Sequence, residues 1–577
     1  MPDAVAAAPP SPSAAPAERT LPVGAGHREF TIKVDGQPVP RQHALHSVAV
    51  VAGANRIARA RLTYVDGAAG AGDFPLSNLD IVKPGATVEI LAGGDTDTAL
   101  VFKGLIVGQR LRIRETSSSL LVIDCRHAST RLALVRRSAN YFDQTDADAI
   151  ESLLAAAGAD GEVEATTVTH KQLVQHDCSD WDFIVTRASA NGQLVFTRGG
   201  ALAVRKPTIE APVVQLQFGA TLLEFDAAVD ARDQAQAVKA VSWSAADQSL
   251  EEHEGEAPTF RSTGNFDAET LATDAGADTV TLVHAALDAS EAAALASAAR
   301  QRAAVDLAGG RAMCTGIAKV QPGDTVKLGG VGARFSGDVL VTGVRHDFDT
   351  LKGWKTHLQF GGVDPDPALR ERLQRRRSAD LLAPTAGLQV GVVTDNEDPD
   401  GEFRVRVRLP LVNGGDDGVW ARVAAADAGD QRGLFFRPEI GDEVLLGFLD
   451  EDPRHPVVLG MLHSSAKAAP LRPSNDNHQK GYTSRSGIAL TFDDGKKSLT
   501  LATPGGNTLV LDDDSGGITI SDRNGNKITM SSQGIAIESA TALSLKAKTE
   551  MKLDSVAGTD VKSAGVVKVA GSALQLG

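Results

Sequence analysis

The chain is short of the residues that would place it in several functional classes. Only three cysteines, Cys125, Cys178 and Cys314, occur in 577 residues, widely spaced and with no CxxC pair. That excludes a disulfide framework and points to ordinary buried thiols folded in a reducing compartment. No run of 18 apolar residues occurs, so no helical membrane span is expected. The formal net charge is −15 and there is no long Lys/Arg block, which argues against duplex nucleic acid and anionic membrane as partners. The short run Arg372 to Arg377 reads as a solvated helix face or linker. Met1 to Thr20 is Ala/Pro/Ser-rich, with Pro9, Pro10, Pro12 and Pro16 where a signal peptide needs an apolar core. A disordered start and synthesis in the cytoplasm without an export signal are expected.

Catalytic patterns are missing as well. There is no G-x-S-x-G, P-loop or H-E-x-x-H, and no G-x-G-x-x-G opens a helix. The acidic turns Asp512-Asp513-Asp514 and Asp395 to Glu402 lack the ligand order of an EF-hand and read as solvated strand corners. His43 and His46 lie in strand-like sequence, where positions i and i+3 point to opposite faces, so they make a poor metal pair. No catalytic residue, metal or cofactor is expected. An enzyme reading would place a hydrolase in the α/β region 138–235, yet its candidates Asp143, His176, Asp177 and Asp180 match no triad or carboxylate-pair pattern.

What is present is a ladder. Down the last ninety residues run pairs of apolar residues separated by one residue: Leu490/Phe492, Leu499/Leu501, Leu509/Leu511, Ile518/Ile520, Ile528/Met530, Ile535/Ile537, Leu543/Leu545, Met551/Leu553, Thr559/Val561, Val567/Val569 and Leu574/Leu576. From Ile537 the second member recurs every eight residues, at Leu545, Leu553, Val561 and Val569, while earlier rungs are spaced by nine or ten. An i, i+2 pair puts two side chains on one face of a short strand, and such a segment buries almost nothing alone. Stacked rung on rung it makes a continuous apolar interior. Spacing leaves open whether one chain winds by itself or three wind together. With about 4.8 Å between strands, an intertwined form would be a rod on the order of 50 Å long.

Upstream, short alternating strands punctuated by Asp35-Gly36, Asp66-Gly67 and Gly93-Gly94 suggest a β-barrel over 21–137. Helix signals follow over 138–235: Asp146 before Ala149-Ile150 and Leu153-Leu154, and Ser179-Asp180 before Trp181 to Val185. Residues 236–363 read as a second barrel, with an Ala-rich helix from Ser290 to Leu307 ending at Gly309-Gly310. A charged helical connector is expected over 364–383, a five-stranded barrel of the OB kind over 384–463, a linker over 464–484 and the ladder over 485–577.

The run Gly441-Asp442-Glu443-Val444-Leu445-Leu446-Gly447-Phe448-Leu449, followed by Asp452-Pro453-Arg454-His455-Pro456-Val457-Val458-Leu459-Gly460, resembles the spike proteins of contractile injection machines. These are VgrG of type VI secretion, the hub and spike of contractile-tailed phages, and the spike of extracellular contractile injection systems. Thr503-Pro504-Gly505-Gly506-Asn507 and Asn524-Gly525-Asn526-Lys527-Ile528 carry the same resemblance, which is strong over 384–577 and looser over 20–362. Asn55-Arg56-Ile57-Ala58 with Arg61-Leu62, and Val101 to Ile106, look closer to the extracellular type.

The resemblance implies a mainly β homotrimer: a hub of two β-barrels with an α/β insert, an OB-fold collar, and a C-terminal triple-stranded β-helix needle. It implies a trimer core of Ile535, Ile537, Leu543, Leu545, Met551, Leu553, Val561, Val567 and Val569. A blunt apolar end at Val569, Leu574, Leu576 and Gly577 would dock a PAAR-like tip protein. The implied function is to cap the inner tube, organise the baseplate and puncture a target membrane on sheath contraction, in an anchored or released particle. Further expected partners are the inner-tube and baseplate proteins, effector cargo and, transiently, the target membrane. A phage-like adhesin would share the ladder but would need neither hub nor collar.

Overall fold

In the computed structural model of the protein, the described residues are 29–575 apart from 68, 71, 95–97, 116, 245–248, 285–286, 363–377, 379–380 and 413–414. The expected disordered start at Met1 to Thr20, the basic run Arg372 to Arg377, most of the expected connector 364–383, and Leu576 and Gly577 lie outside the described residues. The protein is mainly β and divides into two compact units, one through Leu462 and one from His463. No helix of the described residues is long and apolar enough to cross a membrane.

The largest element of the first unit is a 13-stranded sheet. Its strands alternate as the sequence pattern requires: in Glu29–Val34 the side chains of Phe30, Ile32 and Val34 are buried while their neighbours face outward. The two regions read as separate barrels share this sheet, because Leu45–Gly53 pairs antiparallel with Gly337–Asp349, setting Val48 against Phe348 and Val50 against His346. Each half covers its own core. One holds Leu62, Ile90, Phe102 and Ile123; the other holds Leu216, Val326, Val341 and Phe360. Pairing the halves removes two exposed edges, and each buried large apolar side chain contributes about 1.5–3 kcal/mol.

Between these halves lies the helical region. Helix α1 (Asp146–Ala156) starts at Thr145, whose hydroxyl accepts from the Asp148 amide while the Asp148 carboxylate accepts in return. Helix α2 (Asp180–Ala190) is capped by Ser179. Both pack on the hairpin formed by Arg136–Thr145 and Thr169–Ser179. Of the stretch 236–363, the first part forms a three-stranded sheet with helices α3 (Ala268–Ala275) and α4 (Ala289–Asp306), and strands of the main sheet resume at Ala308.

Helix α4 departs from the expectation at both ends. Its cap is Asp288, two residues before the Ser290 read as its start, because the Asp288 carboxylate accepts both the Glu291 amide and the Ser290 hydroxyl. Gly309 and Gly310 do not end it but lie in the strand Ala308–Thr315. A Cβ on Gly310 would sit 2.3 Å from the Asp226 carbonyl oxygen, so this glycine permits close strand approach rather than a helix stop.

A closed five-stranded barrel follows, built from Gln389–Asp395, Val405–Arg408, Val419–Val423, Glu443–Phe448 and Pro456–Met461. Val393, Val405, Val407, Val419, Val444, Leu446 and Val458 fill it. Parallel pairing of Arg422 with Val457 and Val423 with Val458 closes the ring.

The second unit begins with a seven-stranded antiparallel meander, Gln479–Thr483 through Gly534–Glu538. Asp522 pins one hairpin turn. Its carboxylate accepts from the Asn526 side chain and backbone and from Asn524, and these hydrogen bonds lower its pKa to about 2. From Ser539 to Gln575 no strand occurs among the described residues.

Candidate functional site

The first six rungs of the ladder fall on the meander in register. Leu490 lies opposite Leu501 and Phe492 opposite Leu499; Leu509 faces Ile520 and Leu511 faces Ile518; Ile528 meets Ile537 and Met530 meets Ile535. Every apolar pair thus abuts the pair on the next strand, which is the favourable cross-strand arrangement. Ile535 and Ile537 end this column and are 69% and 54% exposed. The remaining sequence-predicted core residues, Leu543, Leu545, Met551, Leu553, Val561, Val567 and Val569, lie in the strandless segment, and all are at least half exposed. Leu574 is exposed there too. A chain segment with an apolar pair every eight residues and no strand partner of its own leaves backbone groups and apolar area open together. Such a surface is suited to pairing with further strands.

A second feature escaped the sequence reading. Asp146 of α1, Arg187 of α2, Glu291 of α4, His170 of the hairpin, and Asp452 and Arg454 of the barrel form one network, every member of it buried. Arg187 Nε and Nη2 donate to the two Asp146 oxygens at 2.6 and 3.0 Å, and Nη2 also reaches Glu291 at 3.3 Å. Arg454 Nη1 lies 2.7 Å from both Glu291 oxygens, and its Nη2 lies 2.8 Å from Asp452. His170 Nε2 is 3.1 Å from Asp146 and His284 Nε2 is 3.3 Å from Asp452.

The electrostatics of this network favour the ionised forms. Burial opposes the charges on Asp146, Glu291 and Asp452, but the guanidinium beside each outweighs it and holds the carboxyl below its usual range. Burial likewise opposes the charge on Arg454, and Asp452 and Glu291 outweigh it, raising its pKa. Around the network the hairpin docks on the barrel through Gln172, which donates to the Arg454 carbonyl at 2.7 Å, and Lys171, which pairs with Asp400 at 2.9 Å. Asn140 donates to Asp416. The arrangement is a fastening between the helical region and the barrel. Asp452 and Arg454 stand in a conspicuous sequence run, but nothing local marks Arg187 or Glu291 as their partners.

Three of the four enzyme candidates are engaged otherwise. Asp177 pairs with Arg136 at 3.2 Å, Asp180 with Arg137 at 2.7 Å, and His176 Nε2 lies 3.0 Å from Gln389 Nε2. Among the described residues no group of three or more His, Cys, Asp or Glu is placed to hold a metal ion. Cys125, Cys178 and Cys314 are free and buried.

Comparison with known proteins assigns these parts. Residues 25–350, more than half of the chain, match the family model described as the Alg8 N-terminal domain. Residues 389–463 match the type VI secretion system/phage-baseplate injector OB domain, and 498–557 match the phage baseplate V C-terminal trimerisation domain. The Pseudomonas aeruginosa type VI secretion system spike protein VgrG1a is 36% identical over 67 residues, 12% of this chain and 10% of that protein. VgrG4b of the same organism is 36% identical over 98 residues, 15% of this chain and 12% of its own length. The chain therefore aligns with about a tenth of the length of these curated relatives. In overall fold it is similar to a chain of the half-lidded Francisella PdpA-VgrG complex, with a TM-score of 0.52 and 8% identity over 90% of this chain and 89% of that one. With the Alg8 N-terminal domain matched over more than half its length, the chain belongs to the Alg8 family, and its collar and C-terminal segments match an injector OB domain and a baseplate trimerisation domain.

Proposed function

We propose that this protein is the central spike and hub of a contractile injection machine, working as a homotrimer that caps the inner tube, organises the baseplate and is driven through a target membrane when the sheath contracts. The observation that carries the reading is the segment 539–575, whose apolar pairs recur every eight residues and whose backbone forms no strand within its own chain. Three intertwined copies would complete the pairing and bury the ladder at once. The mechanism is mechanical. Work comes from contraction, and the spike needs only a narrow rod whose stability exceeds the load, which hydrogen bonding on every rung provides.

In this reading Ile535, Ile537, Leu543, Leu545, Met551, Leu553, Val561, Val567 and Val569 form the trimer core. The end at Val569, Leu574, Leu576 and Gly577 seats a PAAR-like tip protein through apolar and backbone contacts. Effector cargo rides on the tip or the hub. The domain limits are 21–137, 138–235 and 236–363 for the hub, 384–463 for the collar and 485–577 for the needle. No residue is assigned a catalytic role, since the relatives matched are spike proteins.

Deletion of residues 570–577 tests the tip assignment. The truncated trimer should stay assembled, because ten rungs remain, while it loses the tip protein and most injection activity. Co-purification of the tip with the truncated spike at wild-type stoichiometry would place docking elsewhere.

A further inference from the structure

The three-stranded sheet beside helix α4 has two unlike edges. Its strands run in the order Ser249–Glu254, Ala237–Ser244, Thr279–Val283, so the first and the last each pair on one side only. The edge Ser249–Glu254 carries Glu251, Glu252 and Glu254, charges that deter a further strand. The main sheet guards its ends likewise: Leu222–Val229 carries Glu224 and Asp226, and Gln37–Pro38 is two residues long and holds a proline. Thr279–Val283 has none of these devices. It is uncharged and rich in β-branched residues, and Val280 and Val283 are 46% and 58% exposed. Leu282 anchors it from the other face, packing on the cluster of Val238, Ala240 and Leu295 beneath α4. Its hydrogen bonds fix which backbone groups are free. The Ala237 amide donates to the Asp278 carbonyl and the His284 amide to the Val241 carbonyl, both at 3.0 Å. Strand residues alternate in direction, so Val280 and Leu282 bond toward Ala237–Ser244, and the amides and carbonyls of Thr279, Thr281 and Val283 point to the open edge. Among the described residues no strand pairs there.

We infer that Thr279–Val283 is a docking edge, which takes an extended segment of a different protein as a fourth strand of this sheet. A row of outward amides and carbonyls at ladder spacing is met in full by another strand and by no helix or isolated charge. The edge does not take its own copy. Pairing one edge with itself requires a twofold axis, and a closed threefold assembly has none. Charge then sets the sequence of the partner. Residues 262–299 contain no Lys or Arg, while Asp267, Glu269, Asp274 and Asp278 lead into the strand. A complementary segment is uncharged and β-branched along its paired length, lacks Asp and Glu, and carries Lys or Arg at the end beside Asp278. The inference goes beyond the spike reading and rests on it only for the threefold symmetry and for the particle used in the test.

The test compares amide hydrogen exchange, resolved residue by residue over 277–284, in the free full-length chain and in assembled particles, with light scattering establishing the oligomeric state of the free chain. The amides of Thr279, Thr281 and Val283 should exchange fast in the free trimer and about a hundredfold more slowly in the particle, while Val280 and Leu282 are protected in both. Equal exchange in the two states overturns the inference and leaves the spike reading standing. Slow exchange of the outward amides already in the free trimer overturns it too, since a copy or the chain itself then covers the edge. A monomer by scattering overturns the threefold reading instead, and slowing in the particle would still uphold the added strand. Thr281→Pro removes one outward amide and leaves the inner ladder intact, because Thr281 does not bond toward Ala237–Ser244. Val283→Lys puts a charge on the same edge without altering the backbone. Both variants should trimerise and melt as the parent does, and should either be excluded from particles or show Thr279 exchanging there at its free rate. Slowing at Thr279 retained in particles of either variant overturns the inference.

Discussion

Arg454 of the barrel and Glu291 of helix α4, 163 residues apart in sequence, meet in a buried ion pair in which one guanidinium nitrogen lies 2.7 Å from both carboxylate oxygens. Removing Arg454 should be far more damaging than its place near a loop suggests. Arg454→Ala would leave Glu291 and Asp452 buried without their main counter-charge, at a cost of about 3–5 kcal/mol. Chemical denaturation of the full chain measures this, and a loss under about 1 kcal/mol would show the network to be solvated in solution.

Acid should loosen the first unit before it affects the carboxylates of the network. His346 and His127 are both buried, and burial lowers each pKa from the ordinary imidazole range to about 4. An unfolded chain therefore binds protons on these rings that the folded chain refuses. Their share of stability is complete above about pH 6.5 and falls away as pH drops from there to about 4. His346→Phe should flatten the dependence of melting temperature on pH across that window, and an unchanged slope would place the titrating groups elsewhere. The carboxylates act lower: Asp146, Glu291 and Asp452 have depressed pKa values, so their contribution is present above the normal carboxylate range and is lost as pH falls through their folded-state values.

Leu545→Asp and Leu553→Asp should each abolish self-association of the second unit. Threefold symmetry would place three carboxylates at one level of a dry core, and each costs several kcal/mol unless it is paired. Light scattering decides the matter, and a trimer of undiminished thermal stability would show that these side chains do not face the axis.

Gly418→Ala should destabilise the barrel by about 1–3 kcal/mol or more. Gly418 has φ +87° and an added Cβ would lie 2.0 Å from the Val407 carbonyl oxygen, inside the strand pairing. Gly401→Ala makes a useful control, since its φ is +72° but nothing lies within 4 Å of an added Cβ. If both variants unfold at the same denaturant concentration, the close approach at Gly418 relaxes without cost.

The first six rungs of the ladder, the barrel and the cap of α2 were legible from residues alone because each is specified by neighbours, whereas α1 was read as opening at Asp146 and its cap is Thr145, one residue earlier. In the first six rungs an i, i+2 pair followed by a polar corner defines a short strand, and Thr145 or Ser179 ends a strand and starts a helix through contacts three residues away. The start of α4 was misplaced by two residues because Asp288 and Ser290 are both competent caps, and the choice rests on which one reaches the Glu291 amide. Gly309-Gly310 misled for a related reason: glycine serves both helix ends and crowded strands, and only the neighbouring strand at Asp226 distinguishes the two.

What the sequence determined by itself, then, is the set of local elements and the eight-residue period of the C-terminal segment, since side-chain alternation and turn chemistry act over a few residues. Tertiary structure alone decided that the two barrel regions share one sheet through Val48 and Phe348, and that Arg187, Glu291 and Arg454 converge from three distant segments. Those outcomes depend on pairing across hundreds of residues, where strand edges and buried charges take whichever complementary partner the fold delivers, and no periodicity in the chain records that choice.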